Sequence, residues 1–269
     1  LKGVPKSLIY RVVRSGEVRV NKGRAHVDTR LQSGDEVRIP PIRYTEKESE
    51  HSAPPLKLSE MPPILFEDQN IMVVDKLAGM ASHGGSGISY GLIERMRASR
   101  PELPFLELVH RLDRGTSGVL VLAKTRKALV RLHEMIREGE MHKTYQALVK
   151  GDWQNDRQHA KFPLFKYVTP SGERRVRVDP ENGLPSHSIF RLKERFGPVS
   201  LVEVDLLTGR THQIRVHAAE LGFPLVGDEK YGDFAFNDEV AHGSLGVPFK
   251  RMFLHSGKIC FHHPITGEE

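Results

Sequence analysis

The chain has a single cysteine, Cys260, in 269 residues, which excludes an internal disulfide and a cysteine-based zinc site together. Long apolar runs are missing too. The longest uninterrupted one is Val119 to Ala123, far short of the roughly 20 residues needed to cross a bilayer, and no apolar segment of the secretory kind opens the chain. A cytosolic, globular protein with no membrane partner is the expectation. Apolar residues make up 38% and charged residues 28%, which reads as globular, and the length allows one substantial core, or one core plus a small appended module.

Acidic residues are scarce at the N-terminal end. Residues 1–45 carry ten Lys or Arg against four acids, whereas the remainder holds thirty of each sign. All of the net charge of +6 therefore sits in the first forty-five residues. A basic module on a neutral body suggests a handle for a polyanion, because neutralising phosphates is the sequence-independent part of nucleic-acid affinity. The competing reading is a solvated basic surface, and the charge run alone does not separate the two.

Pro5 fits the first turn of a helix in which Leu8, Ile9, Val12 and Val13 recur at helical spacing and Gly16 marks the stop. The opposite side carries Ser7, Tyr10, Arg11 and Arg14. Val18 and Val20 lead into the turn signal Asn21-Lys22-Gly23, and a second short strand is expected over Val37 to Ile39. Pro40, Pro41 and the polar stretch from Thr45 to Pro55 read as a linker that lets the two parts move separately, so boundaries are placed at 1–45, 46–61 and 62–269.

From Ile64 strands interleave with helices. Ile64 to Phe66 and Ile71 to Asp75 flank a turn. The Gly84-Gly85-Ser86-Gly87 loop precedes a helix led by Leu92, Ile93 and Met96, and it lacks the closing Gly-Lys-Ser/Thr of a phosphate loop. Thr125 can cap a helix that Gly139 ends. Tyr145, Ala147 and Val149 share one face of a strand. Residues 154–185 read as a long loop or hairpin whose Arg174, Arg175 and Arg177 either meet RNA or stay solvated. Ser188 to Leu192 and Val199 to Leu207 read as strands, and a helix is expected to open after Gly209, run to Glu220 and stop at Gly222.

One stretch organises the rest. His110-Arg111-Leu112-Asp113-Arg114-Gly115-Thr116-Ser117-Gly118 stands immediately before the apolar strand, which mounts an ionisable Asp on a glycine-ended loop. Taken alone, an H-x-x-D is more often an ordinary turn carboxylate. The ordered string, however, resembles the central motif of the RluA-type pseudouridine synthases, with Gly115 where many members carry Asp or Asn. Further segments resemble the same family: Lys143-x-Tyr145, Thr208-Gly209-Arg210-x-His212-Gln213-Ile214-Arg215-Val216-His217, then Pro224, Gly227, Asp228, Tyr231 and Gly232, and the closing Leu254-His255. The resemblance covers roughly Ile64 to the end, where the family normally has a few more residues.

Residues 1–45 resemble an S4 RNA-binding module without its first helix. Together with Val4 to Tyr10 they look most like the RluC-type branch, which acts on large-subunit (23S) rRNA. The resemblance implies an α+β catalytic domain, mixed and mainly antiparallel with flanking helices, and an isomerase that turns uridine into pseudouridine without cofactor or metal. Its expected partner is 23S rRNA or the pre-ribosomal large subunit, and its expected state a monomer. It implies Asp113 as the carboxylate acting at the ribose, as nucleophile or base. Arg215 is the cation that keeps Asp113 ionised, with Arg210 as runner-up, and Tyr145 is the contact to the uracil face. Arg111, whose guanidinium both stacks and pairs with phosphate, and Leu254 are assigned to displacing the base from its stack. Lys6, Arg11, Arg14, Lys22 and Arg24 are the expected RNA contacts of the basic module.

Rival readings are weaker. His110-Arg111 lacks the adjoining motifs of a kinase. His212 and His217 are five apart, off the spacing of four that puts ligands on one helix face, and His262 and His263, adjacent on an expected strand, point opposite ways. Structural or solvent-facing roles are expected for these histidines. A non-catalytic RNA-binding protein is the alternative from another class, and an N-glycosidic hydrolase a further one.

Overall fold

The computed structural model describes residues 6–41, 56–57, 60–85 and 90–269, with side chains of the first helix from Ile9 onward. The chain divides into two compact units, Leu1–Ser52 and Ala53–Glu269. Pro5, most of the expected linker, and Ser86 and Gly87 of the glycine loop lie outside the described residues.

In the first unit, helix α1 (Lys6–Arg14) is followed by three two-residue strands, β1 (Arg19–Val20), β2 (Gly23–Arg24) and β3 (Val37–Arg38), in the order β2-β1-β3. Val12 is the buried residue of the helix, whereas Tyr10, Arg11 and Arg14 are exposed. Asn21 and Lys22 both take positive φ, 49° and 66°, as a tight two-residue hairpin turn requires.

The second unit is built on a nine-stranded sheet. In chain order its strands are β4 (Ile64–Glu67), β5 (Ile71–Lys76), β6 (Glu107–Leu108), β7 (Ser117–Ala123), β8 (His142–Lys150), β9 (Arg157–Ala160), β12 (Ser188–Arg195), β13 (Val199–Leu206) and β14 (Leu254–Cys260). The spatial order is β4-β5-β7-β14-β8-β13-β12-β9, with β6 also on β7. Every pairing of these strands is antiparallel except β7 with β14, where Ser117 and Gly118 run parallel to His255 and Ser256. A separate hairpin, β10 (Leu164–Val168) and β11 (Arg174–Val178), fills part of the stretch expected to be a loop or hairpin. The fold is α+β, as expected.

Strand β7 alternates strictly. Leu120 and Leu122 join one core with Met72, Val74 and Tyr145, while Val121 and Ala123 join a second on the other face. The side-chain period of two thus buries both faces of a strand that reads as a continuous apolar run. Helix α2 (Leu92–Ser99) brings Leu92, Ile93 and Met96 to the first core, and α3 (Arg126–Glu138) brings Ala128, Leu132 and Met135 to the second. The Thr125 hydroxyl accepts the Ala128 N–H at 3.2 Å, and Gly139 closes α3 at φ 76°.

Two expectations need correction. The helix expected after Gly209 begins at Gln213, as α4 (Gln213–Glu220). Its first side chain folds back instead of extending the helix: Gln213 Oε1 accepts from the Thr208 hydroxyl and the Arg210 N–H, and Nε2 donates to His187 O and Ser188 Oγ. With Thr208 and Arg210 bound to that amide, the segment before it stays a loop. His262 and His263 do not lie on a strand, because β14 ends at Cys260; His263 turns back to 3.0 Å from Asp68 Oδ2.

Candidate active site

The Asp113 loop is fastened from several sides before any side chain reaches the site. Thr116 N–H bonds to Asp113 O, and Ser82 Oγ both donates to Leu112 O and accepts from Leu112 N–H. Lys76, at the end of β5, is fully buried and donates Nζ to Leu77 O at 2.9 Å and Met80 O at 2.7 Å, with Arg114 O at 3.5 Å. Burial pushes its ammonium down to about 8, against the attraction of Asp113. His110 accepts the Val121 N–H through Nε2, and burial together with the charge of Lys143 pushes its imidazole down to about 3. His110 is therefore a neutral strut between the loop and β7.

Gly118 is required where the loop joins the strand. Its φ is 110°, and a β-carbon there would stand 2.3 Å from Ser256 O across the parallel pairing. The close approach of β7 and β14 sets Asp113 near the strands on either side.

Arg215, on α4, meets Asp113 across 102 residues of chain: Nη1 donates to Asp113 Oδ2 at 3.0 Å. Its other nitrogens are taken by Asp228, Nε to Oδ2 at 2.8 Å and Nη2 to Oδ1 at 2.7 Å. The Arg215 side chain is 8% exposed and that of Asp228 0%, whereas Asp113 keeps 29%. Burial disfavours the Asp228 charge, but hydrogen bonds from Arg215 and from the backbone of Lys230 and Tyr231 outweigh it and hold that carboxyl below its ordinary value. Burial disfavours the Arg215 charge too, but the hydrogen bonds and charges of Asp228 and Asp113 outweigh it and raise its pKa. One carboxylate is thus an anchor and the other faces outward.

Tyr145 lies in the core on β8, 6% exposed and paired in register with Ser256. Burial pushes its phenol above the ordinary value, the Ser256 hydroxyl opposing and the Asp113 charge adding to the effect. His212 Nε2 stands 3.8 Å from Asp113 Oδ2, and Tyr231 packs its ring 5.1 Å from the Arg215 guanidinium. A half-buried carboxylate, a buried cation and a protonated phenol therefore converge on one place.

A family model described as RNA pseudouridylate synthase matches residues 70–220. Ribosomal large subunit pseudouridine synthase C of Salmonella typhi is 52% identical over all of this chain and 84% of its own length, and the protein of the same name from Escherichia coli K12 gives the same figures. Among solved structures, human RNA pseudouridylate synthase domain containing 1 superposes with a TM-score of 0.61 at 28% identity, over 74% of this chain and 78% of that one. The chain belongs to the RNA pseudouridylate synthase family.

Around the centre of this synthase the other expected residues are spread unequally. Arg111 is exposed, with Nη1 3.3 Å from His83 Nε2. Leu254 is 4% exposed and lies in the same core as Tyr145 and Leu112. Arg210 turns away, donating Nε to Pro185 O. Arg175 and Arg177 are ion-paired to Glu173 and Asp179, and Arg177 covers the rings of Phe165 and Tyr167 at 5.5 Å each. His217 is buried between Ser186 and Ser188 and serves the packing.

In the first unit, Arg11 and Arg14 line a shallow depression with Tyr10 and Ser15, Arg24 donates to Arg14 O at 2.7 Å, and Lys22 is exposed at the hairpin turn. For Lys6 the described part is the helical backbone. Among the described residues no helix is long and apolar enough to cross a membrane, and no three His, Cys, Asp or Glu gather to hold a metal.

Sequence reasoning about the synthase missed two roles. Asp228 belongs to the family pattern, but its task as anchor of Arg215 emerges only from burial. The one available signal was that a buried guanidinium needs more than one carboxylate's worth of acceptors. Lys76 carried a fainter mark, a lone Lys closing an apolar strand.

Proposed function

We propose that this synthase isomerises specific uridines of large-subunit (23S) rRNA, with Asp113 acting on the ribose as nucleophile or base. The observation that carries the reading is the Asp113–Arg215 pair, in which the carboxylate is gripped through Oδ2 and still partly open to solvent. The names of the curated relatives, at 52% identity over the whole chain, support the substrate class.

The reaction breaks the C1′–N1 bond, turns the base and joins C1′ to C5. The C5 proton is lost and N1 gains one, so the composition of the nucleotide is unchanged and no oxidant, reductant or co-substrate is needed. Tyr145 lies against the uracil face, and Leu254 belongs to the apolar wall behind it. A stacked uridine must first leave its helix, at a cost on the order of a few kcal/mol, and Arg111 fills the gap it leaves. The first unit acts as an S4-like tether, binding backbone phosphates through Lys6, Arg11, Arg14, Lys22 and Arg24. The protein works as a monomer in the cytoplasm.

The test is incubation of the wild type and Asp113→Asn with an unmodified 23S rRNA transcript, followed by chemistry that labels pseudouridine and an assay for free uracil. Product from the wild type, none from Asp113→Asn and unchanged RNA affinity are expected. Substantial turnover by the variant refutes the assignment of Asp113, and released uracil points to a hydrolase.

A further inference from the structure

Beside Asp113 stands an imidazole with no assigned task. His212 has φ 53° and ψ 20°, the left-handed region, and it precedes α4 without using its side chain as a cap. A positive φ is uncommon outside glycine, although histidine is among the residues that adopt it more readily, and a backbone held there beside a site is a pointer to function. The side chain is 14% exposed. Its Nδ1 lies 2.7 Å from the Tyr231 hydroxyl. Its Nε2, 3.8 Å from Asp113 Oδ2, is beyond hydrogen-bond distance and makes no hydrogen bond among the described residues.

The groups around Tyr231 decide which nitrogen carries the proton. The Tyr231 oxygen accepts the Val176 N–H at 2.9 Å. Burial pushes the phenol up to about 12, so it keeps its proton and must donate it. The acceptor in reach is His212 Nδ1. Burial holds the imidazole below its ordinary value, with Asp113 opposing and Arg215 adding to the effect, so the ring is neutral. Its one N–H is therefore at Nε2, on the side of Asp113.

We propose that His212 is a further catalytic residue, whose Nε2–H donates a hydrogen bond to the target uridine and stabilises the charge on the departing uracil. The inference rests on Asp113 being the carboxylate that acts at the ribose. When C1′–N1 breaks, its electron pair leaves with the base, and the negative charge spreads over N1 and the carbonyl oxygens. A neutral donor beside the carboxylate that must reach the sugar is fixed in advance where that charge forms. It offers a hydrogen bond without giving up its proton, so His212 ends the cycle unchanged. Tyr231, one step behind, is a positioning residue that sets the tautomer.

The test is single-turnover kinetics on an unmodified 23S rRNA transcript with enzyme in excess, with RNA affinity and Tm measured alongside. Removing one such donor slows chemistry by about 100-fold or more, so His212→Leu is expected to lose that much while its affinity stays within about twofold. His212→Gln keeps an amide N–H of similar reach and is expected to recover about tenfold of the loss. Tyr231→Phe releases the tautomer and is expected to slow chemistry several-fold at unchanged affinity. Should His212→Leu fail to fold, His212→Asn, which tolerates the left-handed backbone and lacks the reach of Nε2, replaces it. A wild-type rate without the donor, equal losses for Leu and Gln, or affinity falling in step with rate overturns the inference. Turnover surviving Asp113→Asn sinks the reading beneath it instead.

Discussion

Asp113 and Asp228 share the guanidinium of Arg215 without competing for a nitrogen: Nη1 serves the first, Nε and Nη2 the second. The bidentate pair is the buried one, so the geometry of Arg215 is set by a residue that never meets solvent, and the single bond left over orients the half-buried carboxylate.

Asp228→Asn should therefore damage both fold and chemistry. Breaking a buried pair from one side costs about 3–5 kcal/mol, a fall of roughly 10 °C in Tm for a unit of this size, measurable by calorimetry. The Asp228 carboxyl lies below its ordinary value, so its contribution is complete above the unfolded value and is lost as pH falls through the folded one. Acid unfolding below about pH 4 should be flatter in the variant than in the wild type. An unchanged Tm would show that Arg215 finds another anchor.

The buried histidines act in a higher window. His110 at about 3 and His217 at about 4 lie below the unfolded value of 6.5, so the unfolded chain binds more protons between those limits. Stability is full above 6.5 and declines as pH falls toward 4, by about 1.4 kcal/mol for each unit of separation titrated. Tm measured from pH 8 to pH 4 should fall, and His110→Gln should fall less steeply. A steeper slope in the variant would contradict the neutral strut.

Arg111→Ala should separate flipping from chemistry. On folded rRNA, turnover is expected to drop at least about tenfold, because the cost of unstacking is no longer offset. On a short unstructured fragment carrying the target uridine, the loss should be small. Equal losses on both substrates would move Arg111 from base displacement to general binding.

The positions of the central side chains were legible beforehand because ordered strings carry them. Asp113, Tyr145 and Arg215 each sit in a motif whose neighbours specify a loop, a strand or a helix, and the alternation along Val119 to Ala123 marked the central strand. The start of α4 was not legible. It depends on the Gln213 amide bonding to residues before it and to His187 and Ser188, twenty-five or more positions away, and no local propensity records that. His212 lacks metal spacing and so was read as structural or solvent-facing; its position beside Asp113 depends on a left-handed backbone that the spacing rule does not represent.

The basic module makes a separate prediction. Arg11→Ala, Arg14→Ala and Lys22→Ala combined should weaken RNA binding and lower the slope of log affinity against log salt by about 2, at roughly 0.7–0.9 for each phosphate no longer neutralised. Single-turnover chemistry at saturating enzyme should be unchanged. A salt slope equal to the wild type would remove the tether from the account.

The parallel seam between β7 and β14 joins residues such as Ser117 and His255, 138 positions apart. Pairings of such long reach are slow to form and late. While the polypeptide is being synthesised, the Asp113 loop and Tyr145 leave the ribosome long before β14, the strand that joins β7 to β8, so a nascent chain that stops short of it is expected to be inert. Activity is expected only once Leu254–Cys260 has emerged and taken its place between β7 and β8.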